Sequence, residues 1–122
     1  MNSERAIRSL SVLRVLIGLT SYLIPRAAAK PFGLDPAANP QAPYLARLFG
    51  VRDVALAVGT LSSNGQARRS WLLAGLACDL ADVVSGLAGA RAGYLPKSTG
   101  VLVSGTAAGA AALGVVALGS SG

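Results

Sequence analysis

The run Arg69-Ser-Trp71-Leu-Leu-Ala-Gly75-Leu-Ala-Cys78-Asp79-Leu-Ala-Asp82-Val-Val-Ser-Gly86-Leu-Ala-Gly-Ala90 decides how this chain folds. It is apolar almost throughout and has no proline. At ~1.5 Å of rise per residue, a helix over it matches a hydrocarbon layer ~30 Å thick. It therefore reads as a membrane-spanning helix, yet it holds two carboxylates near its middle. An ionised group at the centre of a bilayer costs from ~2.5 to well over 10 kcal/mol. Asp79 and Asp82 must have partners, and those partners must lie on other helices at the same depth.

Three further apolar stretches flank this one. The last, from Ser98 onward, contains no charge, and its core from Val101 to Leu118 is long enough to span. The second starts at Pro43, which suits a first-turn position because its missing N–H does no harm there. It runs to Ser63, where Ser62-Ser-Asn-Gly65 supplies a turn. The first runs from Ala6 to Ile24 and stops at Pro25, which cannot continue the hydrogen-bond ladder. The expected helices cover residues 6–24, 43–63, 69–90 and 98–119. Short connections make neighbours antiparallel. The fold expected is a single all-α domain over residues 1–122, a four-transmembrane-helix up-down-up-down bundle. The longest connection, Pro25 to Ala42, holds four prolines and reads as an irregular interfacial loop with at most a short helix.

Composition agrees with this class. The chain has 122 residues, 52% hydrophobic and 13% charged, with a mean hydropathy of +0.55. Soluble domains carry about 25% charged residues. Glycine (15 residues) and alanine are abundant and aromatics make up only 5%, which suits closely approaching membrane helices. The net charge of +6 does not point to nucleic acid. Arg5, Arg8, Arg26, Lys30, Arg68, Arg69, Arg91 and Lys97 fall at segment ends, as lipid-headgroup anchors do, with no basic stripe interleaved with stacking aromatics. Four of these lie on each side, so the positive-inside rule does not orient the bundle. Tyr22, Tyr44, Trp71 and Tyr94, near span ends, read as an interfacial belt. Arg5, Arg8 and Ala27-Ala28-Ala29 before Lys30 loosely follow a secretory signal with a cleavage site; Arg14 inside the apolar region argues against it. With no histidine and one cysteine, Cys78, no disulfide, metal site or cofactor is expected. In apolar surroundings that thiol is expected to be inert filler.

Depth and face place the charges. Arg52 and Asp53 lie roughly 14 Å beyond Pro43, Asp79 and Asp82 roughly 15–20 Å beyond Arg69, and Arg14 roughly 16 Å before Pro25. Five charged groups on three helices therefore share mid-depth and are expected to meet in one polar centre. Asp79 and Asp82, at i and i+3, share one side of their helix with Gly75 and Gly86. Arg14 shares a side with Ser11, Gly18 and Ser21. Arg52 and Asp53 are ~100° apart and must face different neighbours. Three carboxylates against two permanently charged guanidiniums leave one negative charge over. One aspartate is expected to hold a proton, and the self-repelling pair Asp79/Asp82 is the expected holder. Gly105-Thr-Ala-Ala-Gly109 matches a close-packing pattern, which serves either a homodimer or, as a four-helix chain favours, packing within the bundle.

The order Pro31-Phe32-Gly33-Leu34, Leu48-Phe-Gly-Val-Arg-Asp-Val-Ala-Leu-Ala-Val-Gly59, then Asp79 and Asp82, resembles a family of small four-helix membrane proteins of unknown function (domain-of-unknown-function family 4267), DoxX-like in layout. Its most specific element is Gly50-Val51-Arg52-Asp53. The resemblance implies membrane embedding and four helices, and it implies no reaction.

Two function classes follow. In one, a multi-pass protein, of the cell membrane by expectation, binds or acts on a small lipophilic molecule. Asp79, Asp82 and Asp53 would then be the catalytic candidates for an acid-catalysed step, with Arg14 and Arg52 as binding residues. In the other, a non-catalytic membrane subunit or scaffold uses the same charges as a structural lattice and binds a partner membrane protein or another copy.

Overall fold

The computed structural model describes residues 1–119. They form five α-helices and a single 3-10 turn, and no strand occurs among them. The helices are α1 (Ser3–Leu23), α2 (Pro25–Ala29), α3 (Ala42–Leu61), α4 (Gly65–Ala92) and α5 (Lys97–Gly119).

Local chemistry sets their ends. Asn2 caps α1, its side-chain oxygen accepting from the Arg5 N–H at 2.8 Å. Pro25 breaks the ladder after Ile24 and becomes the first residue of α2, so the stop is also a restart. The connection to α3 is more ordered than the irregular loop expected. After α2 comes a 3-10 turn, Lys30–Phe32, closed by Gly33 in the left-handed region (φ 79°). Asp35 then organises the chain by accepting the Ala37 N–H at 3.0 Å. Helix α4 begins four residues before the expected Arg69, because Asn64 sits extended as its cap and the turn is only Ser62–Asn64. It ends at Gly93 (φ 90°), and both the Gly93 and Leu95 N–H groups reach the Gly89 carbonyl.

The four long helices form a ring in the order α1, α3, α4, α5, and diagonal partners do not meet along their backbones. The α1/α3 and α4/α5 pairs pack most extensively. Ser3 Oγ donates to the Ala117 carbonyl at 2.6 Å, which ties the start of α1 to the end of α5. Glycines permit the closest crossings. A Cβ on Gly18 would lie 2.8 Å from the Gly50 carbonyl oxygen, so α1 and α3 touch backbone to backbone. Between α4 and α5 the same part falls to Gly86, Gly100 and Ser104, whose hydroxyl donates to the Val83 carbonyl at 3.0 Å. A Cβ added at Gly105 or Gly109 would meet nothing within 4 Å, and both residues face outward. The expected use of this glycine pair within the chain is therefore corrected: the α5 positions that meet α4, Gly100, Ser104 and Gly114, lie on another face.

The bundle is unevenly filled. Ala6, Ile7 and Leu10 of α1, Leu72 of α4 and Ala110 and Ala117 of α5 make a packed cluster in the half containing the start of α1. On the outside the bundle is apolar: Leu16, Val58, Val84, Leu87, Val101 and Val115 are each more than half exposed. A soluble monomer does not display apolar surface on that scale.

Three helices, α1, α4 and α5, are long and apolar enough to cross a bilayer. Helix α3 is not among them, so the four-span expectation is met for three. With 20 residues α3 has the length, but Arg47, Arg52 and Asp53 fall within it.

Candidate functional site

The five mid-depth charges resolve into two units rather than one even cluster. The first is buried. Arg14 on α1 presents its fork to Asp79 on α4, with Nη1 to Oδ1 at 3.1 Å and Nη2 to Oδ2 at 2.7 Å. Nη1 also reaches Asp53 Oδ1 on α3 at 3.5 Å. All three residues are at most 5% exposed. The second unit joins α3 to α4. Arg52 donates to Asp82 through Nη1 (3.1 Å to Oδ1) and through Nη2 to Oδ2. These side chains are 34% and 22% exposed, and the Arg52 guanidinium lies 4.9 Å from the Phe49 ring centroid. That stacking supports the cation on one face.

The helical geometry explains the partition. Arg52 and Asp53, ~100° apart, turn to different neighbours, Arg52 to α4 and Asp53 to α1. On α1, Ser11, Arg14, Gly18 and Ser21 are all buried on one stripe. On α4 the buried stripe is Leu72, Gly75, Asp79, Gly86 and Gly89; Asp82 lies at its margin, which sends it to a different arginine. Gly75 makes room for the guanidinium, since a Cβ there would lie 2.7 Å from Arg14 Nη2.

Asp79 and Asp82 thus each hold a two-pronged guanidinium contact, the strongest geometry for such a pair. The carboxylate without its own arginine is Asp53, not either member of the 79/82 pair as the spacing suggests. Its contact with Arg14, at 3.5 Å, is at the limit of hydrogen bonding, and its Oδ2 takes no hydrogen bond among the described residues.

Beside this floor lies a cavity of about 420 Å³. Its walls include Leu13 and Ile17 of α1, Ala46 and Phe49 of α3 and Val103 and Ala107 of α5. Arg14, Asp53, Asp79 and Asp82 line it too, whereas Arg52 does not. The α3 residues involved all come from its first half plus Asp53 near the middle, so the cavity occupies the half of the bundle opposite the packed cluster. Phe32 and Leu34 from the proline-rich connection and Tyr94 and Leu95 from the α4–α5 turn line that end. Sequence reasoning placed the charges but missed these walls. The one signal for them was an apolar pair, Phe32 and Leu34, inside an otherwise turn-forming stretch.

At the far end α3 and α4 are tied together. Trp71 packs against Gly59, and Arg68 Nε donates to the Thr60 and Ser63 carbonyls at 3.2 and 2.9 Å. Among the described residues no group of three His, Cys, Asp or Glu side chains is placed to hold a metal ion, and Cys78 is a free, half-buried thiol. Arg14 occupies the position between Asp53 and Asp79 that a cation would otherwise take.

No protein-family model, curated protein or solved structure matches the chain.

Proposed function

We propose that the protein is a four-span membrane bundle that binds a small lipophilic molecule in its central cavity, against the Asp53 carboxyl. The observation that carries this reading is the cavity itself. Its volume of about 420 Å³ lies in the usual range for ligand sites of ~300–1,000 Å³, and its apolar walls end on one incompletely paired acid. A bundle held only by its ion pairs would gain contacts by filling such a chamber.

The five charges then divide by role. Arg14–Asp79 and Arg52–Asp82 are staples between helices, and this is where the lattice reading of the site is strongest. Asp53 is the residue left to meet a ligand. An acid-catalysed step, if the bound molecule undergoes one, would draw its proton from Asp53 rather than from Asp79 or Asp82.

Membrane embedding of α3 as a fourth span is supported by how its charges point. Leu48, Val51, Val58 and Leu61 are exposed on its outer face, while Asp53 is buried and Arg52 is paired. Arg47, less than two turns from the start of α3, donates through Nε to the Tyr22 carbonyl at 3.1 Å. At that depth a long side chain reaches the headgroup level. The resemblance of Gly50-Val51-Arg52-Asp53 and its surroundings to the four-helix family of unknown function, DoxX-like in layout, would imply the same membrane embedding and four helices.

The test is a variant that fills the cavity. Ala46→Phe projects a ring into the chamber without replacing any charge. Organic extracts of the purified protein, read by mass spectrometry, should contain a lipophilic small molecule enriched in wild type over Ala46→Phe. Equal content in two equally folded proteins would overturn the reading.

A further inference from the structure

The charges that face the cavity restrict the polar group a ligand can bring. This inference rests on the cavity reading above and names its ligand class. From α1 the cavity receives Arg14; from α3, Asp53; from α4, Asp79 and Asp82. The α5 lining residues, Val103, Thr106, Ala107 and Ala110, bring no charge, and neither do Ala28 and Ala29 of α2. Behind the lining, Arg52 neutralises Asp82. Three carboxylates and two guanidiniums leave these five groups one negative charge over, and the geometry puts it on Asp53.

An anionic head group would meet three carboxylates and no disengaged guanidinium. Both terminal nitrogens of Arg14 are already engaged by Asp79, and Nη1 also reaches Asp53. A neutral acceptor such as a carbonyl oxygen could take a hydrogen bond from a protonated Asp53 or from the hydroxyl and amide groups of the lining, but it brings no charge to replace the proton on that carboxyl. A group bringing N–H donors and one positive charge can take the place of a proton on Asp53, because Oδ2 then accepts from it and the sum stays at zero. An aromatic ring beside the acid favours a cation as well: Phe49, one helical turn before Asp53 on α3, lines the cavity and already attracts the Arg52 guanidinium.

We propose that the cavity takes a lipophilic ammonium ion, a primary or secondary amine on a compact apolar body, bound as an ion pair at Asp53 in exchange for a proton. No bond to carbon forms or breaks. The ammonium ion enters, the Asp53 carboxyl releases its proton to water, and the net charge of the site is zero before and after.

Three probes with one apolar body separate the possibilities: 1-naphthylmethylamine, 1-naphthylmethanol and 1-naphthoic acid. Their binding to the detergent-solubilised full chain is read by equilibrium dialysis. The amine should bind at least about tenfold more tightly than the alcohol, the factor that ~1.4 kcal/mol of added ion pairing supplies, and the acid should not bind. Amine affinity should fall as pH is lowered, since protons compete for Asp53, while alcohol affinity stays level. In Asp53→Asn the amine preference and its pH dependence should vanish while the alcohol still binds; should that variant not fold, the wild-type ranking and pH profile decide alone. An alcohol or acid that binds as well as the amine would overturn the ammonium assignment and leave the cavity reading standing. Failure of all three probes to bind would overturn both. An amine affinity independent of pH in wild type would overturn the proton exchange.

Discussion

Exchanging Asp79 and Asp53 for asparagine, one at a time, should give very different penalties although both are buried acids near Arg14. Asp79 supplies two contacts to the guanidinium, at 3.1 and 2.7 Å, and Arg14 is only 5% exposed. Asp79→Asn strands that cation with a single charged contact at 3.5 Å to Asp53. Removing one partner of a buried pair costs ~3–5 kcal/mol, since the other charge stays desolvated. Asp53→Asn removes only the weak contact and puts an amide of the same shape where a protonated carboxyl stood, so it should change stability by no more than ~1 kcal/mol. The expected gap of about 3 kcal/mol is roughly a hundredfold in the unfolding constant. Titration from mild detergent into denaturing detergent, followed by helical circular dichroism, measures it. Fluorescence of Trp71, the only tryptophan, gives an independent probe of the α3–α4 hairpin. Arg14→Gln combined with Asp79→Asn should be less damaging than the sum of the two single changes, because the pair is lost once. An Asp53→Asn penalty equal to or above that of Asp79→Asn would refute the assignment of Asp53 as the left-over carboxylate.

Gly50→Ala should destabilise by ~1–3 kcal/mol in the same titration, because a methyl there lies 2.5 Å from the Gly18 carbonyl oxygen and forces α1 away from α3. Gly33→Ala should be worse than Gly65→Ala. Both positions have positive φ, 79° and 57°, but only at Gly33 does the new methyl also meet Thr99 Oγ1, at 2.8 Å. The strain common to both is ~1–2 kcal/mol, and equal losses would show that the Gly33–Thr99 contact carries no weight. Gly105→Ala should be neutral or stabilising by up to ~1 kcal/mol, since nothing lies within 4 Å. A loss of stability that grows with protein concentration would instead place a second copy of the chain against that face.

What could be read from the residues was whatever helical periodicity controls. The long helices lie over the four apolar stretches, and the division of Arg52 from Asp53 between two neighbours follows from adjacency alone. The pairing within the centre was not legible. Asp79 and Asp82 share a side at i and i+3, and repulsion between them looked decisive. In three dimensions each is claimed by a different arginine, and which one depends on the ring order of the helices, which spacing does not encode. The glycine pair in α5 failed for a similar reason. A motif of small residues marks where close approach is permitted, and Gly86 with Gly100 satisfies that need between α4 and α5. The cavity was hidden because its walls come from every helix, and no local pattern records an unfilled volume. Helix α3 stands outside the three helices apolar enough to cross a bilayer because Arg47, Arg52 and Asp53 fall within it, although Asp53 is buried and Arg52 is paired with Asp82.

The central claim is that Asp53, among three buried or half-buried acids, is the incompletely paired carboxyl facing an apolar chamber. A lipophilic carbodiimide tests it most directly, because such a reagent partitions into apolar surroundings and modifies only a carboxyl that carries a proton. Treatment of the detergent-solubilised protein near neutral pH, followed by peptide mapping with mass spectrometry, should give a single adduct, on Asp53. Asp79 and Asp82, each held by two contacts from an arginine, should stay unmodified. Modification of Asp79 or Asp82 in preference to Asp53 would contradict the account.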